Sequence, residues 1–155
     1  MKIELTPIGY VRTTRADPID DNWDAETTRI ELDTTHFTAD ALLSLDTFSH
    51  VEVLYWFHHA EAATPVTGAR HPRGNKDWPL VGIFAQRGKN RPNRIGLTIC
   101  KVLKVEGTIL HVEGLDAIDG TPVLDLKPWV SGFGPRGETR EPQWMAELMS
   151  DYWKT

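Results

Sequence analysis

The apolar positions of this chain fall into short runs divided by turn residues, and most of the runs have β character. Ile3 to Val11 carries β-type residues interrupted at Pro7, which predicts an edge or bent strand, and Arg29 to Leu32 predicts a second short one. Val51-Glu-Val-Leu-Tyr-Trp-Phe-His58 is rich in β-branched and aromatic residues, with apolar side chains on both faces from Val53 to Phe57, as an interior strand requires. Leu80–Gln86, Ile95–Val105, Thr108–Gly114 and Thr121–Pro128 continue the series, and Glu106-Gly107 reads as a hairpin turn between two of them. Helical spacing is confined to two places. Thr38 is a candidate cap for a short helix near 39–45, and Trp144, Leu148 and Tyr152 recur every fourth residue behind Pro142, predicting a C-terminal helix near 142–153. Short strands separated by turns predict a mainly β fold, closed or sandwich-like, with no internal repeat or linker.

Composition limits the class of protein. The 155 residues are 40% hydrophobic and 25% charged, and a chain of this size buries roughly 68–70% of its unfolded surface in one core. The single cysteine, Cys100, excludes an intramolecular disulfide. The longest apolar runs, Val53 to Phe57 and Val81 to Ala85, fall far short of the ~20 residues of a membrane span, and Lys2 and Glu4 interrupt any leader-like start. The expectation is a soluble, cytoplasmic protein without membrane contact.

The net charge of −5 argues against a nucleic-acid partner until it is resolved along the chain. Residues 70–94 hold 7 basic and 1 acidic side chains, so a local +6 sits in a chain that is otherwise −11. The basic residues form two loops on either side of the apolar strand Leu80 to Ala85. Gly74, Gly88, Pro72, Pro79 and Pro92 restrict the loop backbones, while Asn75, Asn90 and Asn93 add neutral hydrogen-bonding groups. A charge run is commonly just a solvated face, but stiff loops with aimed donors suit an anion or polar ligand better.

Several motifs are weighed and set aside. Gly132-Phe-Gly-Pro-Arg-Gly137 matches a dinucleotide fingerprint in letters only, because no βαβ unit surrounds it and Pro135 stands where a helix should begin. His50, His58, His59 and His71 invite a metal test. On a strand His58 and His59 point to opposite faces, so at most one joins His50, and no second thiol or carboxylate pair stands beside them; no metal site is expected. One histidine as a general base suits the ordinary pKa near 6.5 better. The turn holding Asp116, Asp119 and Asp125 reads equally as a tight Asp-Gly turn with capping acids or as a polar edge for a nucleoside.

Taken together and in order, Ile8-Gly-Tyr-Val-Arg12, Phe48-Ser-His-Val-Glu-Val-Leu-Tyr-Trp-Phe-His58, Val81-Gly-Ile-Phe-Ala-Gln-Arg87, Arg91-Pro-Asn-Arg-Ile-Gly-Leu97 and Leu115-Asp-Ala-Ile-Asp-Gly-Thr-Pro-Val-Leu-Asp-Leu-Lys-Pro128 resemble the TsaA-like (TrmO-type) tRNA methyltransferase family. The resemblance is strongest over residues 5–130, within a single domain spanning 1–155. The family commonly has Thr-Arg-Ser-Pro before Arg-Pro-Asn-Pro-Ile-Gly, where this chain has Gln86-Arg87-Gly88-Lys89 and Arg94 in place of the second proline. Its N-terminal loop reads Asp20-Asp-Asn-Trp-Asp24 where the family has Pro-Arg-Gln.

What the resemblance implies is a small non-Rossmann β-barrel that binds S-adenosylmethionine at a site completed across a homodimer. The implied reaction is methyl transfer to N6 of threonylcarbamoyl-adenosine at position 37, next to the tRNA anticodon. By position, His58, His59, Arg87, Leu97 and the turn Leu115, Asp116, Asp119, Gly120, Thr121 and Pro122 fall on the family's cofactor site, and Asn22, Trp23 and Asp24 on its N-terminal contact loop. His58, with His50 as second choice, is the candidate base. Arg70, Arg73, Lys76, Lys89, Arg91, Asn93 and Arg94 are the candidate RNA contacts. Two alternatives stand beside this reading: a small-molecule methyltransferase on the same barrel, and a non-catalytic S-adenosylmethionine- or RNA-binding module.

Overall fold

Alternation of buried and exposed residues turns the β-type runs into strands whose inner faces meet. The computed structural model describes residues 1–154, apart from the Ala25 side chain. Its strands are β1 (Gly9–Arg12), β2 (Thr27–Leu32), β3 (His50–Trp56), β4 (Ala69–Arg70), β5 (Val81–Gly82), β6 (Ile95–Glu106), β7 (Ile109–Glu113) and β8 (Pro122–Pro128). Six of them close into an antiparallel barrel in the order β1-β2-β7-β6-β3-β8, with β8 pairing back onto β1. β4 and β5 form a separate two-stranded ribbon. Closure removes the free edges an open sheet would present.

The interior is filled by Val11, Ile30, Val51, Val53, Tyr55, Cys100, Leu110, Val112, Leu115 and Val123, all essentially inaccessible. Each such side chain contributes about 1.5–3 kcal/mol relative to exposure. In β3 the inward residues are Val51, Val53 and Tyr55; in β6 they are Gly96, Thr98 and Cys100, while Ile95, Leu97 and Ile99 face outward. Gly107, at φ 61°, makes the expected tight turn from β6 into β7.

Four expectations change in detail. The first strand begins at Gly9, not Ile3: Pro7 has no N–H to give a ladder, Ile3 and Leu5 are exposed, and a Cβ on Gly9 would lie 2.3 Å from the Glu31 carbonyl oxygen. The helix near 39–45 is instead two 3-10 turns, Ala39–Leu42 and Leu45–Thr47, divided by Ser44 at φ 66°; Thr38 makes no side-chain cap bond, and only Leu42 is fully buried there. The strand at 80–86 is cut to Val81–Gly82 before a 3-10 turn at Ile83–Ala85, because the Gln86 amide donates to the carbonyls of Val81 and Arg70 and draws the chain round. The C-terminal helix, α1 (Gln143–Met149), is shorter than 142–153: Pro142 caps it in extended conformation, and beyond Ser150 the backbone turns to accept from Asn22 N–H (3.1 Å to Asp151 O) and Trp23 N–H (2.9 Å to Tyr152 O). Among the described residues no helix is long and apolar enough to cross a membrane.

Candidate functional site

A cleft of about 960 Å³ opens at one end of the barrel, between its strands, the loop through Trp23, the basic loops and the C-terminal segment. This lies at the upper end of the roughly 300–1,000 Å³ usual for small-molecule sites.

Its floor is built by strand register. Tyr55 of β3 lies opposite Gly96 of β6, and a Cβ there would meet the Tyr55 ring at 2.4 Å, so glycine is what leaves room for the ring against β6. The Tyr55 hydroxyl donates to Asp116 Oδ1 (3.0 Å), Thr98 donates to the same oxygen, and Tyr152 donates to Oδ2 from the C-terminal segment. Burial, followed by the nearby Asp116 charge, pushes both phenols above the ordinary tyrosine value, so each stays protonated and donating.

One side wall is the loop before β2. The Arg15 guanidinium lies 3.6 Å over the Trp23 ring and donates to the carbonyls of Ile19, Asp21 and Asn22, while Arg73 reaches across to Asp21 at 2.9 Å. Trp23 is 95% buried, and its Nε1 hydrogen has no partner among the described residues.

The opposite wall is basic. Arg70, Arg73, Arg87, Lys89 and Arg91 all line the cleft. Buried Gln86 organises them: its Oε1 accepts from Arg70 Nε (3.4 Å), and its main-chain carbonyl accepts from Arg91 Nη1 (2.9 Å). Gly88 lies so close to the Arg70 guanidinium that a Cβ would come within 2.6 Å of it. Arg87 donates to the Leu97 carbonyl, joining this wall to β6.

His58 and His59 stand at the rim. β3 ends at Trp56 and the chain makes a 3-10 turn over His58–Ala60, so the two rings do not point to opposite faces of a strand; their centroids are 4.2 Å apart. Burial, followed by repulsion from His59, holds the His58 pKa below its ordinary value and favours the neutral imidazole.

Of the residues singled out in the sequence, the cleft gathers His58, His59, Arg87, Leu97, Asp116, Thr121 and Trp23, together with Arg70, Arg73, Lys89 and Arg91 of the basic segment. The remaining ones lie outside its lining. Leu115 is barrel core. Asp119 accepts from the Thr13 N–H (3.2 Å), and Gly120, at φ 77°, donates to Val11 O (2.9 Å), so these two fix the turn, with Pro122 opening β8 behind it. Asn22 and Asp24 flank Trp23 without lining the cleft. His50 begins β3 at the end away from His58 and contacts Ser49 Oγ at 2.9 Å. Lys76 and Asn93 are exposed outside the cleft, and Arg94 donates to the carbonyls of Glu61 and Ala63. At φ 52°, position 94 has a backbone that proline cannot adopt. No group of three or more His, Cys, Asp or Glu gathers as a metal site among the described residues.

Thr98, Gln86, Gly96 and Tyr152 are site residues that sequence reading passed over. The spacing of Tyr152 with Trp144 and Leu148 marks it as part of an apolar helix face, which conceals where its hydroxyl points.

A family model described as the tRNA-methyltransferase O N-terminal domain matches residues 11–134. A probable S-adenosyl-L-methionine-binding protein of Methanothermobacter thermautotrophicus is 38% identical over 133 residues, covering 83% of this chain and 91% of that one. The human tRNA (adenine(37)-N6)-methyltransferase is 39% identical over 102 residues, covering 66% of this chain but 23% of the relative. A crystal structure of TrmO from Pseudomonas aeruginosa superposes with a TM-score of 0.73 at 30% identity, covering 90% of this chain and 61% of that one. The chain thus spans most of the archaeal relative's length and a minor part of the human one.

Proposed function

The chain belongs to the tRNA-methyltransferase O N-terminal-domain family, and on that footing we propose that it methylates N6 of adenine 37 in tRNA, as its threonylcarbamoyl derivative, using S-adenosylmethionine. The observation that carries this reading is the meeting of two surfaces at one cleft: a floor of hydroxyls gathered on Asp116, and five of the seven basic side chains of residues 70–94 along its wall.

The cofactor supplies an electrophilic methyl group on a sulfonium. The residues present suit it: Asp116 offers an anchored carboxylate with an accepting position to spare, and Arg87 a cation near β6. For an in-line displacement the protein's main contributions are positioning and electrostatics. The acceptor N6 is weakly nucleophilic because its lone pair is delocalised into the ring and the carbamoyl group, so the proton on N6 must leave as the new bond forms. His58 is placed for this at the cleft rim, and its lowered pKa leaves the imidazole neutral and ready to accept at neutral pH. Arg70, Lys89 and Arg91 contact phosphates around the acceptor and fix its register.

A second copy of the chain completes the site in this reading. Leu54 pairs with Leu97 and Trp56 with Ile95 on the outer face of β3 and β6, where Ile99 is 49% exposed. Leu97 and Ile99 also line the cleft, so a partner covering this apolar face also closes the cleft edge. Modification of tRNA agrees with a cytoplasmic location.

Incubation of the purified chain with methyl-labelled S-adenosylmethionine and total tRNA from a strain lacking the endogenous activity tests the proposal. Label at N6 of position 37 is the expected result. Cofactor binding without label in tRNA would leave a small-molecule acceptor or a non-catalytic S-adenosylmethionine-binding module.

A further inference from the structure

Asp116 receives more side-chain hydrogen bonds than any other group in the cleft. Its Oδ1 accepts from Tyr55 and Thr98, both carried by barrel strands, and its Oδ2 accepts from Tyr152. A carboxylate offers about four accepting positions, so three hydroxyls leave one, and it is on Oδ2. The torsion that swings a carboxylate about its own axis is broad and two-fold. Two barrel hydroxyls therefore locate Oδ1, while the direction of Oδ2 depends on the partner it has, and that partner comes from elsewhere in the chain.

Tyr152 lies beyond residues 11–134, the span matched by the family model. Its segment is held by the loops beside the barrel independently of the tyrosine hydroxyl. Trp78 Nε1 donates to Glu147 Oε2 at 2.9 Å, and the N–H groups of Asn22 and Trp23 donate to the carbonyls of Asp151 and Tyr152. The Tyr152 ring packs edge-on against Trp153 at 4.9 Å. The segment would thus stay in place without the hydroxyl, whose specific contribution is the bond to Asp116.

We propose that Tyr152 is a positioning residue for the cofactor: its hydroxyl sets Asp116 so that the remaining accepting position of Oδ2 takes a donor group, hydroxyl or ammonium, of S-adenosylmethionine. The inference rests on the cofactor reading above and adds to it a residue from outside the matched family span.

The test is calorimetric binding of S-adenosylhomocysteine, the unreactive demethylated cofactor, to four forms of the full chain. Tyr152→Phe keeps the ring packing and is expected to weaken binding about tenfold, with the unliganded melting temperature nearly unchanged. Glu147→Ala loosens the segment without touching Asp116 and is expected to leave the affinity within about twofold. In an Asp116→Asn background, Tyr152→Phe should add almost nothing, because the two residues act through one bond. Undiminished binding by Tyr152→Phe overturns the role of Tyr152, as does an equal loss in Glu147→Ala, which would make the segment a cover only. That comparison stands even where Asp116→Asn lowers the melting temperature. A wild-type chain that binds no S-adenosylhomocysteine at all instead overturns the cofactor reading on which the inference rests.

Discussion

The floor and the basic wall of the cleft are built on opposite principles. Tyr55 and Thr98 occupy their places because they are inward positions of paired strands, and moving either would shift the register of the barrel. Arg70, Arg87 and Arg91 sit on loops and reach their places through hydrogen bonds to Gln86 and to the Leu97 carbonyl. The floor is held by covalent spacing and closure, the wall by a handful of polar contacts. Changes to the strand-borne part of the floor should therefore appear as lost stability, and changes to the wall as altered affinity at constant stability.

The largest expected effect falls where the two meet. His58→Ala should slow single-turnover methyl transfer, measured at saturating cofactor, by about 10²-fold or more while leaving the melting temperature unaltered. Because the His58 pKa is lowered, the neutral base is gained as pH rises through a value below about 6.5. The wild-type rate should climb with pH in that acidic window and be flat above it. A rate within a few fold of wild type removes His58 from the mechanism. Next in size, the double reversal Lys89→Glu with Arg91→Glu should weaken tRNA binding at least tenfold and reduce the slope of log affinity against log salt by roughly 1.5–2. An unchanged slope would show that the basic wall is not the phosphate surface.

On the floor, Gly96→Ala forces a methyl into the Tyr55 ring and should cost about 1–3 kcal/mol, read by denaturant unfolding, with the salt slope of tRNA binding unaltered. The smallest effect sharpens the boundary between the regions. Arg94 belongs to the basic segment by sequence yet bonds the carbonyls of Glu61 and Ala63, so Arg94→Ala should lower stability by about 1 kcal/mol and leave the salt slope as it was. A changed slope would return Arg94 to the RNA surface.

This contrast also explains what could be read in the sequence. The runs at 51–58, 95–105, 108–114 and 121–128 were visible as strands because they are short, rich in β-branched and aromatic residues and bounded by turn residues, and Glu106-Gly107 because a tight turn demands a positive φ; the strands found there are His50–Trp56, Ile95–Glu106, Ile109–Glu113 and Pro122–Pro128. Barrel closure came from resemblance, since alternation alone also fits a sandwich. Charge segregation marked the basic wall, but composition could not separate Arg91, in the cleft, from Arg94, facing two carbonyls. Placing His58 and His59 on a strand failed because the apolar run continues through Phe57 while the ladder stops at Trp56. The bond from Tyr152 to Asp116 joins residues 36 positions apart and leaves no local signature.

The closed ring has one more consequence, which concerns time. Its strand amides are shared round a circuit with no end from which to fray, so they should exchange with solvent only when the whole barrel opens. The ribbon of β4 and β5 pairs just two residues with two, and its amides should exchange much sooner. Under the proposed function, the surface offered to tRNA can thus reshape itself from moment to moment while the chamber for the cofactor keeps its form.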